Sequence, residues 1–335
     1  MQFSKARGAR LRARSILAMV ILGLVLSACG ESAGGSDQTS AGHKYTIGLI
    51  KFSGTDQTST LLIRGYAERA AELGYKATSI DPQGEADKAV AAMQTFVQKG
   101  VDMIVVTVFP SSQLTAGLLA AKNAGIPVIS LGGGPAQGVQ AAWTSDRVSG
   151  EETAKRMMED TGGNGSLEVF SYTASTPCVD RESGLYDTIE GSELEANKKR
   201  EEVPVPGQVA AGTQFAQAFL AKHPSDGENL VIWACWDDPA LGAVTAVKQA
   251  HRSDVKIYAI NGQSDAIKAV QDGDMAATYW IDVEGGGKLV ADQTKKYIEA
   301  GVDAKPEVVS VPGVLVTADN VEQFVKDHPS VLAAQ

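Results

Sequence analysis

From Lys44 onward the chain alternates strand-like and helix-like segments with little sequence between them, and this alternation decides what it can fold into. Residues 45–50 (YTIGLI) read as a strand. Residues 58–73 place Leu61, Leu62, Gly65, Tyr66, Arg69 and Ala70 at helical spacing and stop at Gly74. A strand over 76–80, a helix over 85–98 and a strand over 102–108 (DMIVVTV) follow, then a helix over 111–123 and a strand over 126–131. Near-continuous apolar strands of this kind are buried on both faces, which requires a parallel sheet with helices on either side.

The pattern then repeats. Helices are expected over 147–160, 180–189, 210–222, 239–249 and 265–272, with strands over 167–172, 200–205, 230–235, 255–260 and 276–280. The simplest organisation is two α/β halves joined near residues 143–146. A last helix over 285–300 and short strands near Val308 and Val314 are too little for a third domain, so they complete the two halves.

The N-terminus reads as a leader. Residues 1–28 carry Lys5, Arg7, Arg10, Arg12 and Arg14 and no acidic residue, followed by an apolar run over 16–26. That run is shorter than the roughly 20 residues a membrane-spanning helix needs and has the layout of a secretory signal. Leu26-Ser27-Ala28-Cys29-Gly30 resembles the bacterial lipobox, which implies acylation of Cys29. The alternative is ordinary cleavage after Ala28. Several acyl chains give stable attachment to the cell membrane, where one gives only marginal binding. Residues 29–43 are Gly, Ser, Ala and Thr-rich and read as a flexible tether. Without its leader the chain has 25 basic against 40 acidic side chains, a formal charge of −15. So acidic a body speaks against nucleic acid as a partner.

Several stretches resemble the type I periplasmic (solute) binding proteins of ABC importers, in the ribose- and sugar-binding branch. They are Gly65-Tyr66-Ala67 with Glu72-Leu73-Gly74-Tyr75, the run 99–106, and 121–128 (AKNAGIPV). In the second half 237–243 (DDPALGA) looks like the family's N-D-x-x-A-L-G-A element. Residues 260–266 and 273–278 look like its G-x-D-G-x-x-D-A and G-x-x-x-A-T elements. The likeness runs from about residue 45 to about residue 325. It implies two doubly wound parallel-sheet lobes joined by a three-segment hinge: 44–143 with 282–311, and 144–281 with 312–335. It also implies a cleft between the lobes, an extracytoplasmic location, an ABC permease with a cytoplasmic ATPase as partner, and a monomer. The same fold serves ligand-sensing receptors that report to a membrane kinase, and the sequence does not separate the two.

Open α/β sheets place ligands at the carboxyl ends of their strands. Those positions hold Lys51, Phe52 and Asp56, then Thr107 and Phe109, then Gly132 to Gly134. In the second half they hold Tyr172, Asp180 and Arg181, then Trp236, Asp237 and Asp238, then Asn261 and Gln263, then Trp280 and Asp282. Aromatic faces with carboxylates, amides and a guanidinium suit a small polyhydroxylated ligand, sugar or polyol. The resemblance implies ligand contacts for Arg181, Asp237 and Asn261. Arg181 reads equally as a charge at a helix start, and Asp237 and Asp238 have the type and place of helix caps. Trp233, within a strand, belongs to the core. An aromatic or nucleoside ligand stacked between Phe109, Trp236 and Trp280 stays open as an alternative.

The run 125–135 (GIPVISLGGGP) invites a phosphate-loop reading. It lacks the G-x-G-x-x-G spacing with a helix opening behind it, so that reading fails. The family's sugar binders carry an Asp-Arg pair where this chain has Gly132-Gly133, which implies extra room in the cleft and makes a linear polyol as fitting a ligand as a cyclic sugar.

Cys178 and Cys235 fall at the ends of neighbouring strands of one doubly wound half. They are either free thiols or a disulfide, which would close a loop of about 57 residues and contribute about 4 kcal/mol. His43, His223, His251 and His328 have no metal-ligand spacing, and no nucleophile motif is present. Neither an enzyme nor a cofactor is expected.

Overall fold

The computed structural model describes residues 44–332 apart from 145, 226 and 312. The leader over 1–28, Cys29 and the tether over 29–43 lie outside the described residues. The first sheet is built from β1 (Thr46–Ile50), β2 (Lys76–Ile80), β3 (Met103–Thr107), β4 (Val128–Leu131) and β5 (Ala141–Thr144), connected by α1 (Gln57–Glu72), α2 (Ala86–Lys99) and α3 (Thr115–Asn123). The chain then passes into α4 (Asp146–Thr161), β6 (Ser166–Ser171), α5 (Thr176–Ile189), the single turn α6 (Glu193–Ala196) and β7 (Lys198–Glu202). It continues through α7 (Gln208–Lys222), β8 (Leu230–Ala234), α8 (Asp237–Gln249), β9 (Val255–Asn261), α9 (Ser264–Gln271) and β10 (Ala277–Ile281).

Four closing elements complete the two halves. α10 (Val283–Ala300) packs along α1, and β11 (Glu307–Ser310) pairs in parallel with β5. β12 (Gly313–Thr317) pairs antiparallel with β10, and α11 (Val321–Asp327) lies against α9 and β12. The strand orders are therefore matched: β11-β5-β4-β3-β1-β2 in one sheet and β12-β10-β9-β8-β6-β7 in the other. In each sheet the order reverses between the first and third strands of the lobe, β1 beside β3 and β6 beside β8, and ligand crevices form at such a reversal.

The central strands carry the core. β3, β6 and β8 are buried at every position, as expected of strands covered on both faces. Trp233 is fully buried in β8 and donates its indole N–H to Thr153 Oγ1 at 3.0 Å. Helices flanking the sheets cross at glycines. A Cβ on Gly65 would overlap the Glu284 carbonyl, and one on Gly150 would overlap the Arg181 carbonyl, so α1 meets α10 and α4 meets α5 backbone to backbone. No helix among the described residues is long and apolar enough to cross a membrane.

Candidate functional site

The carboxyl ends of the two sheets face each other, and two adjoining cavities of about 50 Å³ and about 70 Å³ lie between them. Thr58, Val108, Pro177 and Arg181 line both. The first is walled by Phe52 from the β1 end and by Tyr172 and Trp236 from the β6 and β8 ends, with Asp56 and Asn261 beside them. The second runs toward the strand-to-helix crossing at Ile281, Asp282 and Val283.

The lobes touch through polar groups. Asn261 Nδ2 donates to Thr58 Oγ1 at 2.6 Å, and Gln263 Nε2 reaches the same oxygen at 3.4 Å. Gln208 Nε2 donates at 2.6 Å to the Thr55 carbonyl and at 2.9 Å to Asp238 Oδ2. Thr176 Oγ1 donates to the Gly133 carbonyl at 3.3 Å. Val108, with φ of 65°, is a β-branched residue held in the left-handed region at the wall of both cavities, a costly conformation of the kind found at binding sites.

The second lobe fixes its cleft groups through buried contacts. Cys178, in the first turn of α5, and Cys235, just past β8, form a disulfide with Cα atoms 5.2 Å apart. Arg181 follows one turn later, 5% exposed, donating from Nη1 to the Cys235 carbonyl at 2.7 Å and pairing through Nη2 with Asp146 at 3.2 Å. Asp237 is wholly buried and accepts from the Gln263 N–H at 2.8 Å and the Thr278 hydroxyl at 2.7 Å. It thereby holds the turn in which Asn261 and Gly262 adopt φ of 118° and 66°. Burial, with Asp238 nearby as a smaller cause, pushes its carboxyl up to about 7. Burial is also the first cause raising Asp238, which accepts from Gln208. In the first lobe Asp56 caps α1 by accepting the Ser59 N–H at 2.8 Å. Burial first, then the Asp238 charge across the cleft, pushes Asp56 up to about 6.

The expected site residues thus separate into groups. Asp56, Arg181, Trp236 and Asn261 line the first cavity, and Asp282 lines the second while capping α10 through the Gly285 N–H at 2.8 Å. Gln263 sits behind Asn261 and touches Thr58, and Asp237 lies beneath that turn as a support. Phe109 is 1% exposed and packs against Phe52 with centroids 4.7 Å apart, so Phe52 forms the wall and Phe109 backs it. Lys51 is half-buried and lines neither cavity. Trp280 packs on Phe324 and His328, at 5.2 and 4.6 Å, in an open groove outside the cleft. The triglycine turn does not simply leave room: a Cβ on Gly132 would stand 3.0 Å from Pro177 of the opposite lobe, and Gly133 is hemmed by the Phe109 carbonyl. Small residues there admit the start of α5.

Thr58, Gln208 and Asp146 were not foreseen. Thr58 lies in the first turn of α1, in the loop region already singled out after β1. Gln208 opens α7 at the carboxyl end of β7, a position that the strand-end rule reaches only if β7 ends at Glu202. Asp146 opens α4 directly after β5, a strand too short to announce itself.

Comparison with known proteins agrees with this architecture. Residues 47–301 match the model of the periplasmic binding protein domain. The ribose import binding protein of Haemophilus influenzae is 27% identical over 88% of this chain and 98% of its own length. The xylitol-binding protein of Mycolicibacterium smegmatis is 27% identical over 93% of this chain and 87% of its own length. Among solved structures, an ABC transporter solute-binding protein from Agrobacterium vitis with bound allitol superposes with a TM-score of 0.77 at 24% identity, covering 84% of this chain and 98% of that one. One from Bacillus halodurans with bound myo-inositol gives 0.74 at 20% identity, covering 87% and 98%. Members of this family are substrate-binding proteins of transporters rather than enzymes, and they work outside the cytoplasm. The chain belongs to the periplasmic binding protein domain family, as a type I member of its ribose- and sugar-binding branch.

Proposed function

We propose that this protein is a lipid-anchored solute-binding protein that captures a small sugar or polyol between its lobes and delivers it to an ABC permease. The observation that carries this is the cleft itself. Aromatic faces from Phe52, Tyr172 and Trp236 stand beside the amide and guanidinium of Asn261 and Arg181, the pairing of C–H-covering surface with planar polar groups that hydroxylated ligands need. A ligand touching both sides favours the closed arrangement by its differential affinity, and a permease reads that arrangement. The lobes then comprise 44–143 with 282–311 and 144–281 with 312–335, in a monomer tethered through Cys29. The relatives named for ribose and xylitol binding point to the same ligand class.

A thermal-shift panel of pentoses, hexoses, tetritols, pentitols, nucleosides and small aromatics tests the ligand class. A true ligand at 100 times its Kd adds about 2.7 kcal/mol of stability. Melting shifts with aromatics or nucleosides alone would refute the carbohydrate reading. Metabolic labelling with a palmitate analogue, lost in Cys29→Ala, tests the anchor.

A further inference from the structure

Acidic side chains gather around the cleft. Asp56, Asp237 and Asp238 are buried around it at 7%, 0% and 6% exposure, while Asp146 is ion-paired with Arg181. Among the described residues Arg181 is the one lysine or arginine lining either cavity.

Two buried amide oxygens beside the cleft lack donors. Asp56 commits Oδ2 to the Ser59 N–H, and it shares its cavity with Asn261, which is 4% exposed and whose Oδ1 accepts from no partner. Gln263 Oε1, one residue beyond Gly262, is likewise without a donor. A hydroxyl brings one donor, and an ammonium group brings three with no acceptor to satisfy. The same cavity is walled by aromatic rings, Phe52 to Tyr172 at 6.0 Å and Tyr172 to Trp236 at 6.4 Å, and aromatic faces attract cations.

We propose that the ligand bears an ammonium group, as in an amino polyol or amino sugar, seated between Asp56 and Asn261 Oδ1 against the rings of Phe52, Tyr172 and Trp236. This rests on the solute-binding reading above and narrows its ligand class. The competing occupant of Asp56 is a proton, since burial and the facing Asp238 push its carboxyl up to about 6. Asp238 from α8 is the charged group acting on it from the second lobe, and Arg181 from α5 lines the same cavity while paired with Asp146.

The two occupants are told apart by calorimetry on the full-length protein with matched pairs: glucamine against sorbitol, an inosamine against myo-inositol, and serinol against glycerol. At pH 8 the amine of at least one pair is expected to bind about tenfold more tightly than its hydroxyl twin, and to tighten between pH 5 and pH 8 as Asp56 ionises. Asp56→Asn keeps the helix cap and should erase that preference, so that the amine and its hydroxyl twin bind alike. Neutral members that bind as well as the amines, or that alone bind and weaken as pH rises, overturn the ammonium site and leave the sugar or polyol reading standing. Binding by no member of any pair, together with silence across the sugar and polyol panel, overturns both.

Discussion

The two lobes share one topology, yet they build their sides of the cleft by different means. The second lobe locks its groups from beneath: a disulfide ties α5 to β8, Arg181 spans Asp146 and the Cys235 carbonyl, and Asp237 holds the Asn261 turn. The first lobe offers a helix cap, a threonine, a positive-φ valine and bare glycine backbone. Identical sheet orders therefore fix where a ligand sits, while the reinforcement of each wall is a separate choice.

The largest test of that asymmetry is removal of the disulfide. Cys178→Ala with Cys235→Ala opens a loop of 57 residues, which is expected to cost about 4 kcal/mol. Denaturant titration should show the loss, and hydrogen exchange should place it in α5 and β8, leaving β1 and β3 protected. Loss spread evenly over both sheets would mean that the second wall is not independently braced.

A smaller effect separates the lobes at their helix crossings. Gly150→Ala and Gly65→Ala each push a Cβ into a carbonyl of the neighbouring helix, Arg181 in one case and Glu284 in the other. Overpacking of this kind costs about 1–3 kcal/mol, so both variants should melt earlier. Only Gly150→Ala displaces the segment bearing Arg181, so it should weaken ligand binding more than Gly65→Ala, which shifts α10 beside the second cavity. Equal loss of affinity in Gly65→Ala would show that Arg181 placement is not the sensitive point.

Much of this was legible in the chain because period and punctuation carry fold information. Apolar runs such as MIVVT and LVIWA fixed the buried strands, and glycines at 74, 100 and 125 marked the helix stops. β5 was not legible: four residues, AAWT, are too few for a period, and two of them are half-exposed. α6, a single turn, was lost for the same reason. α5 begins at Thr176 rather than Asp180, since Pro177 at a helix start is favourable and Ser175 caps it. Trp280 was assigned to the cleft by its nearness to a strand end, but side chains alternate along a strand. Ile281 faces the second cavity, so Trp280 faces away, where Phe324 and His328 receive it. Aromatic content and strand position located the cleft, and only packing decided which ring of Phe52 and Phe109 forms its surface.

A pH-dependent effect concerns the buried carboxylates and again divides the lobes. Asp237 is sealed within the second lobe, and its carboxyl is raised to about 7 chiefly by burial. The folded state therefore holds a proton there that the unfolded chain, with an ordinary aspartate value of 3.8, has released, so this group lowers stability as pH rises from about 4 through about 7. One group contributes a slope of at most about 1.4 kcal/mol per pH unit. Melting temperatures measured from pH 5 to pH 8 should fall along that slope, and Asp237→Asn should flatten it. Asp56, raised to about 6, gains part of its shift from Asp238 in the opposite lobe, so its proton belongs to closure as well as to folding. Asp56→Asn should leave more of the melting slope in place than Asp237→Asn does, and should instead alter the pH dependence of ligand binding. If the two variants flatten the melting slope alike, the first-lobe carboxylate is as deeply bound to the fold as its counterpart, and closure carries no protonic component of its own.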